Sequence, residues 1–162
     1  MWKNEKEFVT YFMSKLKAAG VDCSRIETPA TGVGMPDLWI QAAGDDYFIE
    51  MKLVKHDLPA AIDMEYASEV IPWRPGQVAW GVRYSLNHTI RHPEGNVRMV
   101  KHSWTFVGMN DGVIAIRMGK VYSNNLIAYN DKCVHTWSKK EFSKLNVLKF
   151  LIDNTYTKIT GQ

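Results

Sequence analysis

The sequence predicts an α/β domain, and three observations predict it. An apolar stripe at helical spacing opens the chain. Two pairs of strand-like runs are joined by tight turns. A capping box begins a last amphipathic segment. Their order is helix, three or so strands, helix, strands, helix.

In the first helix Phe8, Tyr11, Phe12, Leu16 and Ala19 recur at helical spacing among Lys3, Lys6, Lys15 and Lys17, and Gly20 closes it. A loop with Pro29, Gly32, Gly34 and Pro36 follows. Residues 37–42 read as a strand, Ala43-Gly44-Asp45-Asp46 as a turn and residues 47–53 as the hairpin partner. Residues 54–74 are irregular, with one helical turn around 63–68. Pro75 suits a first helical turn and starts a helix that carries Val78, Val82 and Leu86. Residues 103–108 and 113–118 form a second hairpin around Asn110-Asp111-Gly112, since Asp-Gly favours such turns. Residues 119–137 hold strand-like pieces at 126–129 and 133–137. Ser138-Lys139-Lys140-Glu141 then opens one final helix with Phe142, Leu145, Leu148, Leu151 and Ile152 on one face.

Composition excludes several classes. The chain has 162 residues, 46% hydrophobic and 23% charged, as globular domains do. Its formal charge of +3 does not by itself identify a nucleic-acid binder. Cys23 and Cys133 form no CxxC pair, which excludes a disulfide framework or a four-cysteine zinc site and fits reduced residues of a cytoplasmic protein. No run approaches the roughly 18 apolar residues of a membrane span, and the charged start Met1-Trp2-Lys3-Asn4-Glu5-Lys6-Glu7 does not read as a secretory signal. The expectation is a cytoplasmic protein that does not engage membranes.

The chemistry concentrates in Pro36-Asp37 and Glu50-Met51-Lys52. Strand alternation puts Glu50 and Lys52 on one face and Met51 on the other, and the hairpin brings Asp37 beside the Glu50 strand. Their neighbours Leu38, Trp39, Ile40, Phe48, Ile49 and Leu53 are apolar, so these charges are costly unless paired or bound to a metal. A hard divalent cation relieves the repulsion of two carboxylates. Mg²⁺ takes one or two of them and keeps waters that a phosphate can replace. Such a metal polarises a phosphoryl oxygen, and an adjacent lysine can orient or deprotonate the attacking water. This is equipment for phosphodiester hydrolysis.

Pro36-Asp37…Glu50-x-Lys52 resembles the PD-(D/E)xK nuclease superfamily, and within it the Holliday-junction-resolvase and virus-type replication–repair (VRR-NUC) branch. That branch carries a helix Glu about thirteen residues before a closing Gly, as Glu7 precedes Gly20 here. It also carries a Gln at the helix after the lysine strand, as in Arg74-Pro75-Gly76-Gln77-Val78-Ala79-Trp80. The resemblance covers roughly residues 4–82. It implies a restriction-endonuclease-like core over about residues 4–118, a central mixed β-sheet flanked by helices in the order αβββαβ, with 119–162 as a C-terminal hairpin and helix extension. It implies that Glu7, Asp37 and Glu50, helped by the Met51 carbonyl, hold Mg²⁺, with Mn²⁺ as a substitute. Lys52 would position or activate the water and Gln77 would orient that water or Lys52. The implied substrate is branched DNA such as a four-way junction, cut to leave a 5′-phosphate by a homodimer of phage or mobile-element type. Residues 54–74 run longer than the usual connection in this branch, and 88–137 have no counterpart in it.

Each residue also has a structural reading. Asn4-x-x-Glu7 is itself a capping-box pattern, Asp37 suits a turn, Glu50 and Lys52 could pair on a solvated strand face, and Gln77 could be an ordinary first-turn residue. Lys6, Lys55, Arg74, Arg83 and Arg91 are candidate DNA-phosphate contacts or simply solvated. Trp73 and Trp80 could stack on bases or pack in the core. His88-x-x-x-His92 lacks the Glu of a metalloprotease and reads as a solvated helix end. Two other functions fit the same core: a sequence-specific restriction-type endonuclease, and a catalytically inactive DNA-binding or interaction module.

Overall fold

In a computed structural model the chain is described over residues 2–26, 34–62, 64–91, 97–119 and 134–160. The elements in chain order are α1 (Glu5–Ala18), β1 (Asp22–Arg25), β2 (Leu38–Ala42), β3 (Asp45–Leu53), α2 (Met64–Val70), α3 (Pro75–Asn87), β4 (Thr89–Arg91), β5 (Val97–Lys101), β6 (Trp104–Gly108), β7 (Gly112–Arg117), β8 (Val134–Ser138), α4 (Lys139–Lys144), α5 (Val147–Asn154) and β9 (Tyr156–Thr160). The architecture is α/β. A mixed six-stranded sheet has the order β1-β2-β3-β6-β7-β8 and is flanked by helices, and a second sheet has the order β4-β5-β9. Within the described sheets β3 and β6 run parallel, and the other neighbours are antiparallel.

The β2–β3 hairpin is tighter than expected. Ala42 pairs with Asp45, leaving Ala43 and Gly44 as a two-residue loop with φ of 55° and 73°. Both lie in the left-handed region that such a turn demands, which Gly44 adopts freely and Ala43 only at a cost. Beyond the turn, alternation sends Leu38, Ile40, Tyr47, Ile49 and Met51 to one face. There they meet Phe8, Phe12 and Leu16 of α1, Trp104 and Phe106 of β6, and Phe142 and Leu151 of the C-terminal helices. The opposite face carries a second core, in which Val107, Ile114 and Ile116 pack against Ala67 and Ile71.

Other expectations change as well. Residues 22–25 form β1, a strand the sequence does not signal. Its side chains are mostly exposed; it has no apolar alternation and exists through its pairing with β2. The helix at Pro75 forms, but not on its Val78–Val82–Leu86 line. Its buried positions are Gln77, Gly81, Tyr84 and Ser85, and Leu86 is 55% exposed. Small Gly81 and Ser85 let the helix approach closely, since a Cβ at Gly81 would meet the Met118 Cβ at 2.9 Å. The single final helix is two: Ser138 and Glu141 form the expected capping box of α4, but the chain restarts at Asn146, whose side chain caps α5 through the Lys149 N–H at 3.1 Å. Ile152 is left exposed.

Nor is the segment after residue 118 peripheral. β8 pairs with β7, and Phe142, Val147, Phe150 and Leu151 complete the core under α1. The second sheet is anchored to β3 by Lys101, whose Nζ lies 2.6 Å from Asp45 Oδ1, while the Tyr156 hydroxyl donates to Asp45 Oδ2 at 2.7 Å. The piece at 126–129, Cys133, the glycine loop Thr31-Gly32-Val33 and His92 lie outside the described residues. Cys23 is a free, half-buried thiol that burial pushes up to about 11. Among the described residues no helix is long and apolar enough to cross a membrane.

Candidate active site

Asp37 sits one step beyond the Leu38–Ile49 pair of the β2–β3 ladder, which sets it against Glu50. Its Oδ2 accepts the Met51 N–H at 2.8 Å, so β3 itself holds the side chain in place. Glu50 is 6% exposed. Its Oε1 accepts from Gln77 Nε2 at 2.8 Å and lies 3.7 Å from Lys52 Nζ. Its Oε2 is buried without a hydrogen-bond partner. Met51 turns its side chain into the core on the other face, as alternation requires.

Gln77 arrives at this point because of how α3 begins. Its Oε1 accepts the Arg74 N–H at 2.9 Å, half of a capping box. That bond leaves only the amide nitrogen to face Glu50, which fixes the orientation of the amide. Close backbone packing completes the joint. Gly34, at φ +88°, stands against the Gly76 carbonyl, where a Cβ would collide. Gly34→Ala is therefore expected to destabilise the protein by about 1–3 kcal/mol in chemical denaturation, through strain at positive φ and displacement of the α3 start. A loss below about 0.5 kcal/mol would show that this approach is not tight.

The electrostatics follow from burial. Glu50 is pushed up to about 8, first by burial and then by the charge of Asp37 and a hydrogen bond with it, against the opposing pull of Lys52. When ionised, Glu50 leaves Oε2 without a partner; when protonated, it can donate to Asp37. A proton or a cation is what the pair requires. Among the described residues no group of three or more His, Cys, Asp or Glu side chains lies within metal-binding reach. Two adjoining carboxylates with one oxygen unpaired still match the one or two that Mg²⁺ takes from a protein.

Glu7 is not brought to this site. It is exposed and, with Trp2, Asn4, Lys6, Thr10, Tyr11 and Ser14, lines a hollow on the outer side of α1, while its N–H donates to the Asn4 side chain at 2.8 Å. Glu5 is the acid of α1 that faces the carboxylates. Burial raises its pKa, Asp37 raises it further, and Lys52 and Arg74 pull it down. The reason is helical geometry. Two residues are about 200° apart around a helix, and Glu5 stands three and four positions before the buried Phe8 and Val9. Helical spacing is the signal that finds Glu5, whereas the interval to Gly20 points to Glu7, two positions further on.

The remaining candidates scatter. Arg74 is exposed at the start of α3, within electrostatic reach of Glu5. Lys55 follows β3 and Arg83 lies on α3, both exposed, and Lys6 faces the α1 hollow. The Arg91 side chain lies outside those described. Trp73 is braced, its Nε1 donating at 3.0 Å to Thr105, the strand neighbour of Glu50. Trp80 stacks on Tyr84 at 5.1 Å and tilts against Phe48 at 5.5 Å. Compared with known families, curated proteins and solved structures, the chain matches none.

Proposed function

We propose that this protein is a metal-dependent endonuclease of the PD-(D/E)xK kind that hydrolyses phosphodiester bonds in DNA, with branched DNA as its substrate. The observation that carries the reading is Glu50, a buried carboxyl group beside a second carboxylate that, when ionised, has one oxygen unpaired. Leaving such a group without a partner costs several kcal/mol, which a functional ligand would offset. Asp37 and Glu50 would hold Mg²⁺ or Mn²⁺, with the Met51 carbonyl as the next donor along β3 and Glu5 reaching in from α1. When bound, the metal supplies a polarised phosphoryl oxygen and a more acidic water.

The other residues act around that pair. Gln77 and Lys52 occupy Oε1 of Glu50, which keeps Oε2 free for the ligand. Lys52, on the same strand face, orients the water and stabilises charge developing on the phosphate. The sheet with β3 at its centre and helices on both faces supports the restriction-endonuclease-like reading of the core. A homodimer would place two such sites on one symmetric junction.

The test is a four-way junction and a linear duplex, each with Mg²⁺, Mn²⁺ or EDTA. Junction cleavage leaving 5′-phosphates with either metal, and none with EDTA, is expected. Binding without cutting under every condition would identify a non-catalytic module and sink the proposal. Cutting of the linear duplex at one sequence would move it to the restriction type. Within the same assay Glu5→Gln should lower the rate about 10–100-fold, and Glu7→Gln should stay within about twofold of wild type. The reverse order would return the α1 role to Glu7.

A further inference from the structure

We propose that the sheet face beside the carboxylates binds unpaired nucleobases, with Trp39, seated against Phe48, as the stacking ring. The identity of the polymer rests on the nuclease reading above. The platform rests on geometry. Trp39 and Phe48 are paired directly across β2 and β3, their ring centroids 6.4 Å apart and their planes within 3°. Trp39 stands two residues from Asp37 and Phe48 two residues from Glu50, so the aromatic pair continues the face of the acids at about 7 Å along the strands. A strand whose phosphate lies at the carboxylates therefore has a neighbouring base within reach of Trp39.

Both rings are held rather than loose. The Trp39 indole N–H donates to Asp46 Oδ1 at 2.9 Å, and Phe48 is backed by Trp80 and Tyr84 of α3, each at 5.5 Å. Both remain half-buried. On the far side of Trp39 the surface is polar: its β1 partner Ser24 and the next residue on its own face, Gln41, are exposed. The described helices of this face pack instead over β3, β6 and β7. Aromatic rings stack on any base, because every base has a π-face, but only on bases not enclosed in a duplex. A tryptophan stacked on Phe48 and continuous with the face of the acids, with Arg74 exposed at the head of the same helix that braces Phe48, fits an unpaired strand better than an apolar protein partner.

The experiment is metal-free binding in EDTA, which separates stacking from cutting. A fluorescent single-stranded oligonucleotide and a duplex of equal length are titrated with wild type, Trp39→Ala and Trp39→Phe, with circular dichroism as the check on folding. Trp39→Ala should weaken single-strand binding about tenfold or more and duplex binding less than about threefold, while Trp39→Phe keeps most of the affinity. Should Trp39→Ala not fold, Trp39→Phe still reports, because single-strand binding should quench tryptophan emission in the wild type and much less in that variant. Unchanged single-strand affinity, or equal losses on both DNAs, overturns the platform even if the enzyme cuts. A change in sedimentation with no change in binding assigns the face to a second copy of the chain and also overturns it. Absence of cutting with every metal, alongside Trp39-dependent binding, removes the nuclease reading and leaves the platform standing.

Discussion

Glu50→Gln is expected to lower Mg²⁺-dependent cleavage of a four-way junction by about a thousandfold or more while the protein stays folded. The amide matches the protonated acid in shape. Its oxygen still accepts from Gln77, and its nitrogen can donate to Asp37, so the buried contacts survive. What disappears is the negative charge that the proposed metal site needs. Asp37→Asn should act alike, because its carbonyl oxygen can still accept the Met51 N–H while the second charge is gone. Single-turnover cleavage with circular dichroism on the same samples checks both. A variant that is folded and cuts within about tenfold of wild type would remove these carboxylates from the chemistry.

The metal-free protein is expected to lose about 2 kcal/mol of stability between pH 6.5 and about pH 9, and Glu50→Gln to remove most of that loss. In the folded state Glu50 keeps its proton up to about 8, against a usual value of 4.5. Between those values the native state binds more protons than the unfolded state. Raising the pH therefore favours unfolding, and the contribution is complete below about 4.5 and gone above about 8. Part of this window is masked. His102 is buried between the Met118 carbonyl and the Thr157 hydroxyl, and burial lowers its pKa from 6.5 to about 4. The unfolded state takes up that proton first, so His102 makes stability rise with pH below 6.5. Above 6.5 the Glu50 slope stands clear until the unfolded-state Cys23 thiol begins to ionise near 9, and that smaller loss persists in Glu50→Gln. Urea denaturation in EDTA at both pH values measures it, and Mg²⁺ should restore stability at the higher pH, since a cation replaces the proton. A Glu50→Gln protein with the wild-type slope would place the titration elsewhere.

Under the proposed function, activity and stability oppose each other at Glu50. The group that the proposed chemistry needs ionised is the group that the metal-free fold prefers neutral. A variant more stable than wild type at high pH and inactive at every pH is the pattern expected where a buried acid is kept for a ligand.

Much of the site is legible in the amino-acid order because its logic is local. Glu50 and Lys52 share a face because strand side chains alternate, and Asp37 meets Glu50 because only two residues separate β2 from β3. Gln77 follows Pro75 into the first turn of α3, where its Oε1 accepts the Arg74 N–H and holds it. Glu5 is harder to single out from Glu7, because both lie in one helical turn. The interval to Gly20 favours Glu7 and does not say which side of α1 turns to the sheet, whereas Phe8, Val9, Phe12 and Leu16 do. The line Val78–Val82–Leu86 misleads for a related reason: apolar spacing identifies a helix, but the face it buries depends on what it docks against.

The amino-acid order therefore settled the helical and strand periods, the tight hairpin, the capping boxes and the pairing of acid with acid, all of which act over a few residues. Docking decided the rest. It recruited β1 and β8 as sheet neighbours, split the last helix at Asn146, folded β9 against β5 and built the C-terminal helices into the core. It also closed α3 over Glu50, and that burial turns an ordinary glutamate into one that holds its proton to about 8. Such pairings join segments far apart in the chain, and each is chosen by which surfaces leave water together, a quantity that no window of sequence contains.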